Sequence, residues 1–86
     1  MKDIVIRNWK KIIKKLQVDN QIPEVSYKTW IKPLEVIKVE DGTVYIGSHL
    51  DAHREFVEKR YLQSLKDCIL AVTGQKYEVK LVTNSL

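Results

Sequence analysis

Two histidines four residues apart, His49 and His53, offer the first spacing in this 86-residue chain that could do chemistry. On a helix such a pair can ligate zinc. Asp51 lies between them, but His49 falls ahead of the helix that begins there, and no cysteine or third histidine is near. Catalytic zinc needs three protein ligands, so the pair reads as two solvent-exposed histidines. The lone cysteine, Cys68, sits in an apolar helix stripe, where a thiol behaves as a small hydrophobe. No helix start lies beside it to lower its pKa. The carboxylates Glu35, Glu40, Asp41, Asp51, Glu55, Glu58 and Asp67 fall at turns and on polar faces, and their spacing yields no nucleophile–base pair. No glycine loop for phosphate is present, neither GxxxxGK nor GxGxxG. The residues therefore predict no catalysis, no metal and no cofactor.

Binding residues are better represented. Trp9 and Trp30 both fall on apolar stripes, and periodicity alone assigns them to the core. Tryptophan is seldom fully covered in a domain this small, and a half-covered one makes a good interface anchor. Around Trp9, the lysines Lys10, Lys11, Lys14 and Lys15 line one helix face. That face could meet nucleic-acid phosphates. No aromatic is interleaved with the lysines as a single-strand stacking platform requires, and no GxxG clamp is present. A solvated basic face is the plainer reading.

These residues need elements to position them. Residues 3–17 read as an amphipathic helix that Asp3 can cap, with Val5, Ile6, Trp9, Ile12, Ile13 and Leu16 on one stripe. A connector spans 18–22. A short second helix covers 23–31, with Pro23 in its first turn or Ser26 as its cap, and Pro33 stops it. Two β-branched runs, 34–40 and 43–47, flank Asp41-Gly42, a strong hairpin signal because both turn positions need positive φ. Residues 51–73 read as the longest helix, capped by Ser48 or Asp51 and closed by Gly74. Tyr77, Val79 and Leu81 alternate as a last strand. The order α-α-β-β-α-β predicts an α+β fold, a three-stranded sheet with helices packed on one face.

Size and charge bound the function. A chain of 86 residues forms one domain, 1–86, with a core over about 3–82 and with 83–86 as a polar tail or the start of a linker. Such a chain buries roughly 64% of its unfolded surface, so the core is real but small. Hydrophobic residues make up 44% and charged residues 30%, which argues against disorder. No apolar run approaches a membrane span, and the start MKDIVIRNWKKIIKKLQ is charged throughout, unlike a signal peptide. One cysteine fits a reducing cytoplasm. Net charge is +4, yet residues 1–15 alone carry six basic side chains against one acid, which leaves the remainder slightly negative.

Taken together, the Trp9 helix, SYKTWIKPL (26–34), DGTVYIGS (41–48), EFVEKRYLQSLKDCILAVTG (55–74) and YEVKLV (77–82) resemble the N-terminal domain of the bacterial replication initiator DnaA, over about residues 5–82. The resemblance implies a KH-like fold of the order read above. It implies an interaction module that self-associates at the replication origin, helps recruit the replicative helicase and docks initiation regulators. The ATP- and duplex-binding parts of such initiators lie in other domains, so the chain fits either a fragment of a full initiator or a stand-alone relative. By resemblance, Trp9 matches a tryptophan of head-to-head dimer contacts. Ser26, Thr29 and Trp30 match a helicase- and regulator-facing surface. Leu50, Asp51, Ala52 and His53 occupy the place of an Asn-x-Phe segment that contacts partners. Here the chain departs: Leu50 replaces the asparagine and Ala52 the phenylalanine. Small Ala52 cannot anchor a partner as an aromatic would, so contact at this place is expected either to be lost or to run through His53. The partners expected are the chain itself, the helicase, regulators and, weakly through the lysines, single-stranded DNA.

Overall fold

The computed structural model describes residues 3–84. The first helix is capped as expected: Asp3 Oδ1 accepts the Val5 N–H at 2.8 Å. It is not continuous, however. α1 (Ile4–Arg7) ends at Asn8, whose backbone leaves helical geometry at φ −109°, ψ 14°. The Asn8 side-chain amide donates to the Ile4 carbonyl at 2.8 Å, which is how asparagine competes with a helix for backbone groups. α2 (Trp9–Asp19) then starts afresh and runs two residues beyond the expected end. It buries Ile12, Ile13 and Leu16. Asn20 closes it by donating to the Leu16 carbonyl at 2.9 Å, and Gln21 turns the chain at φ 51° so that Ile22 drops into the core.

α3 (Glu24–Ser26) leads into a single turn of π-helix over Tyr27–Ile31. Pro23 precedes this helix rather than opening its first turn, and Ser26 lies inside it rather than capping it. The Lys32 N–H donates to the Tyr27 carbonyl at 2.8 Å, five residues back. Pro33 has no N–H to offer the Thr29 carbonyl, so the helix cannot continue.

β1 (Glu35–Glu40) and β2 (Thr43–Ser48) form the expected hairpin, with Asp41 and Gly42 both at positive φ (50° and 76°). α4 (Asp51–Thr73) crosses over to β3 (Glu78–Thr83), which pairs parallel to β2 from Thr43↔Glu78 to Ser48↔Thr83. The sheet order is β1-β2-β3, and Val44, Ile46, Val79 and Leu81 face the helices. The fold is α+β with its helices on one face of the sheet, as the element order requires. Gly74 ends α4 at φ 75°. At the other end neither Ser48 nor Asp51 caps α4: Leu50 stands at the cap position and makes no side-chain bond there.

Thr83 is no tail residue. It ends β3, and its hydroxyl donates to the Asp51 carboxylate and accepts from Arg54 Nε at 3.1 Å. This ties the last strand to the first turn of α4. Asn84 follows Thr83, its N–H donating to the Ser48 carbonyl at 2.6 Å, and Ser85 and Leu86, the last of the expected tail, lie outside the described residues.

Candidate protein-docking surfaces

The π-turn places side chains on two adjoining grooves. On one side, the Trp30 ring stacks on Phe56 of α4 with centroids 4.0 Å apart and planes at 28°. His53 leans against the same indole at 5.5 Å, Tyr61 meets the Phe56 edge at 6.2 Å, and the Arg60 guanidinium lies 5.7 Å above the Phe56 ring. Trp30, Phe56 and Tyr61 are only half-buried. With Ser26, Arg60 and the Asn20–Pro23 turn they line a groove of about 370 Å³. Stacked aromatics contribute beyond their buried area, so this wall is stiff.

His53 holds the wall in place. Its Nε2 lies 2.7 Å from the Trp30 carbonyl and its Nδ1 lies 2.7 Å from Ser48 Oγ. A carbonyl only accepts, so Nε2 carries the proton and donates to Trp30. The Ser48 hydroxyl, which also lies 3.2 Å from the Leu50 carbonyl, is the partner of Nδ1. The Trp30 carbonyl needs this donor because the Leu34 N–H turns to Ile31 instead, at 3.0 Å. Both ring nitrogens are thus spent inside the fold. The expectation of two solvent-exposed histidines holds for His49 and fails for His53, which is half-buried. These internal contacts position the Trp30 turn against the end of β2.

The remaining residues expected at this surface divide. Ser26 lines the Trp30 groove. Thr29 is exposed, and its hydroxyl donates to the Val25 carbonyl at 2.8 Å. Leu50, Asp51 and Ala52 are exposed at the start of α4. Leu50 is 67% exposed, so it, rather than Ala52, supplies the apolar side chain there. Sequence reasoning missed Phe56, Arg60 and Tyr61 as site residues. The available signal was spacing: His53 and Phe56, three apart on a helix, share a face.

On the other side, Trp9 and Tyr27 face a second groove of about 480 Å³, floored by Trp9, Ile13, Tyr27 and Leu34 and rimmed by Lys10, Lys14 and Lys32. Trp9 is half-buried, and its indole N–H donates to the Leu34 carbonyl at 3.2 Å. Lys14 Nζ donates to Gln17 Oε1 at 3.0 Å and sits 5.9 Å above the Tyr27 ring. Burial, with the nearby Glu24 charge, pushes the Tyr27 hydroxyl pKa up. The four lysines of the expected basic face differ in their surroundings. Lys15 is paired with Asp19 at 3.0 Å, Lys14 is drawn over Tyr27, and Lys10 and Lys11 have no side-chain partner among the described residues.

Cys68 is buried, and its Sγ lies 3.9 Å from Asp19 Oδ2. Burial first, then the Asp19 charge, pushes the thiol pKa up, so it is held neutral. Among the described residues no group of three or more His, Cys, Asp or Glu side chains could hold a metal ion, and no helix is long and apolar enough to cross a membrane.

The DnaA N-terminal domain family model matches residues 7–71. Over 86 residues the chain is 33% identical to the chromosomal replication initiator protein DnaA of Lachnoclostridium phytofermentans. That match covers 95% of this chain and 19% of the relative, so the chain spans about a fifth of the length of the initiator it resembles. A match over most of the fold, from Arg7 through nearly all of α4, places the chain in one family: it belongs to the DnaA N-terminal domains.

Proposed function

We propose that residues 1–86 form one interaction domain of a DNA replication initiator in the bacterial cytoplasm, acting by protein–protein contact and without a reaction of its own. Two contacts are assigned. Weak self-association runs through the α2 face with Trp9 as anchor. The replicative helicase and initiation regulators dock on the surface of Ser26, Thr29, Trp30 and the exposed start of α4, with Leu50 as the apolar contact. Weak pairwise contacts of this kind gain strength when several initiators line up on DNA, through raised effective concentration.

The single observation that carries the reading is the half-exposed aromatic wall of Trp30 and Phe56, held by His53 from behind. A stiff aromatic surface is what an interface anchor needs, because little side-chain entropy remains to be lost on binding. Family membership supports the role in initiation.

Analytical ultracentrifugation tests the first contact. Trp9→Ala is expected to weaken self-association while circular dichroism shows the fold retained, at a stability cost of about 1–3 kcal/mol for a half-covered ring that also loses a hydrogen bond. An unfolded variant would instead make Trp9 a core residue. Titration with the replicative helicase tests the second: Leu50→Glu, an exposed change, is expected to abolish binding without loss of stability. Unchanged helicase affinity in that variant would remove this surface from the reading.

A further inference from the structure

The groove beside Trp9 has a chemistry that self-association alone does not explain. Its floor is apolar: Trp9, Ile13, Tyr27 and Leu34. Its rim is cationic, formed by Lys10, Lys14 and Lys32, and no acid lines it. All three lysines are exposed, and among the described residues none of them is in an ion pair. Two acids on the flanking elements are engaged elsewhere: Asp19 holds Lys15, and Glu24 accepts from Gln17 Nε2 at 3.1 Å.

A second copy of the same groove would bring like charges together, within a Debye length of about 10 Å, around whatever apolar contact it made. Like-charge juxtaposition of that kind is how interfaces reject partners. Nucleic acid fits the rim but not the floor. Lys14 lies over the Tyr27 ring face, which leaves Trp9 as a single ring with no second aromatic face to continue a run of stacked bases. The occupant that satisfies both floor and rim carries negative charge beside a large apolar side chain.

We infer that the groove between α2 and the π-turn is a docking site for an acidic peptide segment of another protein, one that seats a Leu- or Phe-sized side chain on Trp9, Ile13, Tyr27 and Leu34 while its carboxylates meet Lys10, Lys14 and Lys32. The inference rests on the reading of the Trp9 face as an interaction surface and names its preferred partner. Self-association through this face is then the weaker, charge-opposed use of the same groove. The two uses respond to salt in opposite directions: screening weakens the acidic peptide and strengthens the homodimer.

The test uses the 86-residue chain and a short synthetic peptide of glutamates around one Leu and one Phe, followed by ¹H–¹⁵N NMR with the Trp9 indole N–H as reporter. Saturable shifts are expected at the Trp9 indole and at Lys10, Ile13 and Tyr27, with affinity falling as salt rises. The Lys10→Glu, Lys32→Glu double variant changes only exposed side chains and is expected to bind about tenfold more weakly, with its fold unchanged. Equal binding by a peptide with glutamine in place of every glutamate would overturn the inference, as would stronger capture of single-stranded oligothymidylate at the same residues. Failure of the peptide beside a readily formed dimer would also overturn it while leaving the Trp9 interaction face standing. Failure of both would remove the two together.

Discussion

His53 joins three parts of the chain: the end of β2 through Ser48, the π-turn through the Trp30 carbonyl, and α4, on which it stands. Ser48 is 1% exposed, so its hydroxyl has no ready alternative in water. Replacing His53 by Ala therefore strands the helix-end carbonyl of Trp30 and leaves the buried Ser48 hydroxyl with only the Leu50 carbonyl, at 3.2 Å. The expected loss is about 1–3 kcal/mol in urea denaturation. His53→Gln, which retains one donor for the Trp30 carbonyl, is expected to recover part of it. A wild-type midpoint for His53→Ala would show that this ring bears no structural weight. The imidazole was visible in the sequence as a candidate ligand or contact. That both its nitrogens face inward was not, because the Trp30 carbonyl lies 23 residues away and is freed only by the way the π-turn ends.

At the scale of elements, the hairpin shows how local and non-local causes divide. Asp41-Gly42 adopts positive φ at both positions because a two-residue turn between twisted strands demands it, whatever else surrounds it. The irregularity in β1 has a different origin. Register shifts between Val36 and Lys38, which leaves Ile37 unpaired, and its exposed side chain lies against Gly47. A Cβ at Gly47 would meet Ile37 Cδ1 at 2.8 Å and Cγ1 at 3.1 Å. Gly47→Ala is therefore expected to cost about 1 kcal/mol or more despite its entropic gain, and the cost should shrink in an Ile37→Ala background, where only the Asn84 Cβ contact at 3.3 Å remains. A double-mutant cycle by thermal melting checks this; simple additivity would mean that the two side chains do not compete for the same space. The break of the first helix at Asn8 is of the same kind. Its apolar stripe reads straight through from Val5 to Leu16, and only the Asn8 side-chain bond to Ile4 divides it.

For the molecule as a whole, the titrating groups that the fold perturbs all act in one direction. Burial pushes up the pKa values of Cys68, Tyr27 and Tyr77, and the hydrogen bond to Asp19 pushes up that of Lys15. In each case the folded chain keeps its proton to higher pH than the unfolded chain does. The stabilisation is complete below the ordinary pKa values and is lost as pH climbs through them toward the raised ones. Melting temperature is expected to be level near neutrality and to fall above about pH 9, followed by circular dichroism. A rise or a flat profile in that range would contradict the burial of these groups. What the residues alone settled was whatever depends on neighbours in sequence: the α-α-β-β-α-β order, the span 51–73 of the long helix, the Asp3 cap, the Asp41-Gly42 turn and the closing Gly74. Periodicity, capping and turn geometry act within a few residues, so they can be read along the chain. The tertiary structure alone decided which aromatics stack, which lysines remain unpaired and where Thr83 is anchored. Phe56 reaches Trp30, Lys14 covers Tyr27 and Asp51 holds Thr83 only after the helices settle on the sheet. Contacts between distant residues are set by packing in three dimensions, and no local pattern encodes them one at a time.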